Sequence, residues 1–266
     1  MVSCKILPLC WVFFLSIATA LPQGQVPVQT ANLPTASAPS EAAPAPVPRP
    51  VLTPERRADI MMARKMYREA IELYRQGPLD SAVIWNKMGI AYHQLMEFDV
   101  AKKHYEKALK INPKYSEAIN NLGTIYYAQK KYRKATGQYK KALKLAPQSA
   151  SIYSNLGTAH FARKKYKDAM EAYQKALELD PEVFEHRSSY GVLLQERSIE
   201  ERAKFHFYLA KTYAKAGMND RALLYIRKAL EEGFKERDRL KEDPEFASLQ
   251  ELPEFQELLA LQPRVL

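Results

Sequence analysis

Three consecutive blocks of 34 residues, 82–115, 116–149 and 150–183, repeat one pattern of large, small and polar positions without a gap. Position 4 holds Trp85, Ile119 and Tyr153, and position 7 holds Met88, Leu122 and Leu156, bulky groups suited to a core. Position 8 is Gly89, Gly123 and Gly157, where a missing side chain lets two helices approach closely. Positions 20 and 27 are alanine in every block (Ala101, Ala135, Ala169; Ala108, Ala142, Ala176), again small where helices cross. Position 24 is Tyr105, Tyr139 and Tyr173, and position 32 is Pro113, Pro147 and Pro181, each proline closing a second helix and opening the next turn. This period is that of stacked helix pairs. Nowhere do apolar and polar residues alternate for long enough to predict a sheet.

Weaker copies flank the three blocks. Ala63–Ile71 aligns with Ala162–Met170, which predicts a shortened first pair over 52–81, with Pro54 near its start and Gly77-Pro78 near its end. Residues 184–202 break the period, and Ser198-x-x-Glu201 reads as a capping box opening a new helix. An offset pair is then expected over 203–236, with Leu209, Ala210, Tyr213, Ala222 and Ala229 in register and Phe234 in the proline position. Over 237–266, Pro244-Glu245-Phe246 with Leu249 recurs as Pro253-Glu254-Phe255 with Leu258. Each proline suits a first helical turn, and each Phe/Leu pair can cover the last pair's open face.

These positions resemble the tetratricopeptide repeat, and the three blocks depart from its pattern only at His160, which stands for the usual tyrosine of Tyr92 and Tyr126. The resemblance implies an all-α fold: a right-handed superhelical solenoid of antiparallel helix pairs, here with a C-terminal capping segment. It further implies a protein-binding scaffold whose first-helix positions 2, 5, 9 and 12 line a concave groove. Those positions supply Asn86, His93, Asn120, Tyr127, Phe161 and, in the last pair, Lys211. Asn86 and Asn120 carry paired donors and acceptors for a peptide backbone, and Tyr127 and Phe161 offer flat apolar contact. The lysine and asparagine set with which some relatives clamp a C-terminal carboxylate is not reproduced, since Asn86 and Ile90 occupy its positions 5 and 9.

Composition agrees with helices: only 9 of 266 residues are glycine, and Ala, Leu, Lys and Glu abound. The N-terminus is of a different kind. Residues 1–20 read as a secretory signal, with Lys5, an apolar run from Ile6 to Ile17, and Ala18-Thr19-Ala20 as the cleavage site. That predicts a periplasmic or secreted protein, the alternative being an uncleaved membrane anchor. Cys4 and Cys10 would leave with the signal, so neither a disulfide nor a cysteine metal site is expected. Residues 21–51 hold eight prolines and read as an extended linker.

The net charge of +10 is concentrated. Residues 116–149 carry seven Lys and Arg against one Glu, or +6, whereas 150–183 balance five against five. Lys130, Lys131, Arg133 and Lys134 fall on one turn between helices; Arg163, Lys164, Lys165 and Lys167 fall on the equivalent turn of the next pair. Stacking predicts one basic edge, able to attract anionic lipid, an envelope polymer or an acidic protein. Export argues against nucleic acid. Of His93, His104, His160, His186 and His206, no two have metal-ligand spacing, and neither a phosphate loop nor a nucleophile motif occurs. No enzyme activity, metal or cofactor is expected. The leading expectation is a scaffold that binds a protein segment in its groove, the alternative a factor that binds anionic polymer or lipid through the basic edge.

Overall fold

The computed structural model describes residues 52–185 and 198–261. Every regular element among them is helical. Pairs follow in order: α1 (Pro54–Ala63) with α2 (Tyr67–Tyr74), α3 (Ala82–Gln94) with α4 (Phe98–Ile111), and α5 (Ser116–Ala128) with α6 (Tyr132–Leu145). Then come α7 (Ala150–Ala162) with α8 (Tyr166–Leu179), and α9 (Ile199–Lys215) with α10 (Asn219–Glu231). A short α11 (Arg239–Glu242), a 3-10 turn (Pro244–Leu249) and α12 (Pro253–Ala260) end the described chain. Each second helix packs on the first helix that follows it, so the pairs form one continuous stack. The signal and linker expected over 1–51, and residues 186–197 of the expected insertion, lie outside the described residues.

Glycine at position 8 is a packing requirement in the three regular pairs. A Cβ on Gly89 would stand 2.5 Å from Cε1 of Tyr105, and one on Gly123 would stand 2.7 Å from Cε1 of Tyr139. Gly157 meets the Tyr173 ring in the same way. All three tyrosines are buried, as are the alanines at positions 20 and 27. The last pair replaces both partners together, with Ala210 facing the register position of Ile226.

The turn inside each pair has one geometry. The residue at position 15 adopts a left-handed backbone at Lys65, Met96, Lys130, Lys164 and Gly217. Two bonds close it: at the third pair the Lys131 amide donates to the Tyr126 carbonyl and the Lys130 amide to the Tyr127 carbonyl, both at 2.8 Å. This is the Schellman arrangement, which satisfies the carbonyls left over at a helix end.

Helix α9 begins at Ile199 because the Ser198 hydroxyl accepts a bond from the Glu201 amide at 3.1 Å. Beyond α10 the chain turns back over the last pair. Leu240, Phe246, Leu249, Phe255 and Leu258 are buried with Phe205, Phe207 and Tyr213 in one cluster. Phe234 stacks on Phe207 with centroids 4.2 Å apart, and Phe246 meets the same ring edge-on. Both Pro-Glu-Phe copies therefore serve as the C-terminal cap, each proline in a first turn.

Candidate functional site

The first helices α3, α5 and α7 contact one another along the stack more closely than the second helices do. The shorter arc therefore runs along the first helices, and they line the inner side of the curve. A ladder of carboxamides crosses that side. Asn121 donates from Nδ2 to Oδ1 of Asn86 at 3.0 Å, and Asn155 donates to Oδ1 of Asn120 at 3.1 Å. Asn120 in turn donates to Oδ1 of Asn121 at 3.4 Å, and Asn86 donates to the Tyr115 hydroxyl at 3.4 Å. Position 6 of one pair thus bonds position 5 of the pair before it. The rule extends to the first junction, where Lys87 at position 6 pairs with Glu55 at position 5, and also with Asp59, at 2.8 Å.

This changes the reading of Asn86 and Asn120. Asn86 is buried, with its carbonyl and one amide hydrogen engaged between pairs, so it clasps the stack instead of standing open to a ligand. Asn120, Asn121 and Asn155 are half-buried and keep unused donor and acceptor capacity on the ladder's open side. Asn121, Asn155, Lys87 and Tyr115 were absent from the expected groove. The repeated asparagine at position 6 of two successive blocks was the available signal. Burial and the nearby Glu117 carboxylate push the Tyr115 hydroxyl up to about 12, so it stays a proton donor, to Glu117 Oε2 at 2.9 Å. At the first junction, burial pushes the Asp59 carboxyl up, but bonds from Lys87 and Tyr74 outweigh it and hold the group below its ordinary value.

The two aromatic residues expected as open contact faces are buried. Phe161 packs edge-on against Tyr166, Phe205 and Tyr208, because α9 lies across the end of α7. Tyr127 is covered by Tyr132, their centroids 5.2 Å apart. His93 is half-buried, edge-on to Phe98, and burial lowers its pKa. Lys211 is 6% exposed, its Nζ 2.8 Å from Asp243 Oδ2 and 3.0 Å from Glu245 Oε2. The cap's acidic residues have taken the place of an external ligand there. What stays open on the inner side is Val83, Glu117 and Ser151 at position 2, beside the amide ladder.

The basic turns are brought together. Lys130, Lys131, Tyr132, Arg133, Lys134 and Arg163 line a shallow concavity of about 330 Å³. Lys164, Lys165 and Lys167 follow at the next turn, exposed, with Lys165 3.5 Å from Asp168. Arg163 is half-buried and donates to the Thr136 hydroxyl at 3.5 Å.

The remaining described histidines are packing groups. His104 lies between Trp85 and Tyr92, its Nδ1 2.9 Å from the Val100 carbonyl oxygen. His160 sits 3.4 Å from Asp168, and His206 sits 2.9 Å from Glu232. Burial lowers all three pKa values. Among the described residues there is no cluster of three metal-ligating side chains, and no helix long and apolar enough to cross a membrane.

Family models described as tetratricopeptide repeat match residues 80–148 and 150–183. No curated protein matches the sequence. Among solved structures, one described as the crystal structure of MamA is 20% identical, with 66% of this chain and 93% of that one covered and a TM-score of 0.46. A second, MamA residues 41 to the end from Desulfovibrio magneticus RS-1, is 23% identical over 67% of this chain and 92% of that one, with a TM-score of 0.47. MamA from AMB-1 is 21% identical over 68% and 98%, with a TM-score of 0.47.

Proposed function

We propose that this chain, whose residues 80–148 and 150–183 match tetratricopeptide-repeat models, is a protein-interaction scaffold that holds an extended partner segment along its first helices. The supporting observation is the amide ladder through Asn120, Asn121 and Asn155, which presents amide donors and acceptors at one-repeat intervals on the inner side. An extended backbone carries a donor and an acceptor at every non-proline residue and must satisfy both when covered. Val83, Glu117 and Ser151 flank the ladder and set which side chains the segment can carry. The apolar run over 6–17 with Ala18-Thr19-Ala20 supports an exported location.

Photo-crosslinking tests the reading. A benzophenone amino acid at Glu117 or Ser151 should capture partner segments, whereas the same group at exposed Leu224 on α10 should not. With the benzophenone at Glu117, the double variant V83K/S151E changes exposed positions at no net charge and should lose capture while keeping its helix content. Equal capture from both helix rows would sink the proposal.

A further inference from the structure

The basic edge plays no part in the amide ladder, yet it has two features that plain solubility does not require. The first is missing neutralisation. At the same register elsewhere, Arg68 pairs with Glu97 and Arg221 pairs with Glu182. Within the edge, among the described residues, only Lys165 pairs with a carboxylate, that of Asp168. The second is grouping: five of the cations line one shallow depression.

From these features we infer that the edge formed by residues 130–134 and 163–167 is a second binding surface, and that its ligand is an acidic segment of a partner protein. The cations lie on two successive turns, so they form two rows along the stack. An extended chain bearing carboxylates on alternate residues can follow such rows, its charge complementary to theirs. A bilayer fits less well. It is flat, and the aromatic residues among the cations are not free to enter it. Tyr132 packs on Tyr127, Tyr166 stacks on Tyr208 at 4.4 Å, and Tyr126 lies under the Lys134 ammonium. No large apolar side chain of 130–134 or 163–167 stands exposed. Binding here does not depend on the groove, so the two surfaces fail separately.

The experiment uses the full chain and a dye-labelled peptide of alternating Glu and Asp, read by fluorescence anisotropy. The parent should bind, and K130E/R133E/K164E/K167E should bind about tenfold or more weakly. A control of equal charge change, K103E/K107E/K110E/K114E, reverses exposed lysines on and just beyond α4 and should retain most of the affinity. The groove variant V83K/S151E, of unchanged net charge, should bind as the parent does. Affinity should also fall steeply as salt shortens the screening length. Three results would overturn the inference: no binding by the parent, equal loss in the edge variant and the control, or retention of phosphatidylserine vesicles where the peptide is not bound.

Discussion

Gly123→Ala isolates the contact on which each regular pair is built. The new Cβ would lie 2.7 Å from Cε1 and 2.9 Å from Cδ1 of Tyr139, and 3.2 Å from Cβ of Gln138. Carbon atoms rest at about 3.5–4.0 Å, so the ring must retreat by close to 1 Å. Tyr139 is 1% exposed and has little room to do so, and its hydroxyl is 3.4 Å from that of Thr124. Overpacking of this kind costs about 1–3 kcal/mol, while Ala over Gly in a helix interior returns about 1 kcal/mol. The net loss should be up to about 2 kcal/mol, a fall in Tm of at most roughly 8 °C for a chain of this size. The first pair limits the estimate, because Ala58 and Tyr74 occupy the same two positions where helices of 10 and 8 residues can part more easily. Thermal melts by circular dichroism should therefore show a folded but weakened protein. The decisive comparison is a double-mutant cycle with Tyr139→Ala. With the ring gone, Gly123→Ala should stabilise by about 1 kcal/mol through helix propensity alone. If it lowers Tm equally in both backgrounds, the steric account is wrong.

Lys130→Gly and Lys164→Gly should each raise stability by about 0.5–1 kcal/mol, because glycine accepts the left-handed turn without strain; a lower Tm for both would refute this. The same variants should weaken binding of the acidic peptide, which separates the stability of the turn from its use. Lys211→Ala leaves Glu245 without its cation, while Asp243 keeps Arg239 at 3.0 Å, and should cost about 1–3 kcal/mol, with K211M/D243N/E245Q recovering much of the loss in urea unfolding. Single and triple variants of equal stability would remove the ion pair from the account of the cap. Stability should also fall with acid. Burial lowers the folded pKa of His93, His104, His160 and His206 below the unfolded value. As pH drops below about 6.5 the unfolded chain therefore binds protons first and is favoured. At His206 the Glu232 carboxylate opposes this, while Lys228 and Arg202 reinforce it. Tm measured from pH 8 to 5 should decline, and His206→Gln should reduce the slope; a level profile for the parent would contradict the reading.

Contacts at a constant chain offset were legible in the sequence. The glycine at position 8 implies close approach, the ring at position 24 fills the crossing, and the prolines punctuate the pairs. The doubled Pro-Glu-Phe likewise announced a cap. What escaped depended on angles between elements or on distant chain. Whether an amide at position 5 faces solvent or the next pair follows from how the pairs are rotated, so Asn86 looked available and is not. Phe161 is covered by Phe205 and Tyr208, more than forty residues away across a break in the period. Lys211 is neutralised only because the chain folds back after α10. Periodicity carries no information about such returns.

The carboxamide ladder has a consequence for how such a chain can change length. Its bonds join residues 35 apart in both instances, Asn86 to Asn121 and Asn120 to Asn155. Duplicating residues 116–149 in place would set a second Asn121 opposite the first Asn120. Every clasp, glycine notch and left-handed turn would recur with a partner already known to fit. Losing or gaining any other number of residues within the run would misalign all of them at once. Growth in whole units is therefore nearly neutral for the interior of this stack, and variation is confined to its ends and its surfaces.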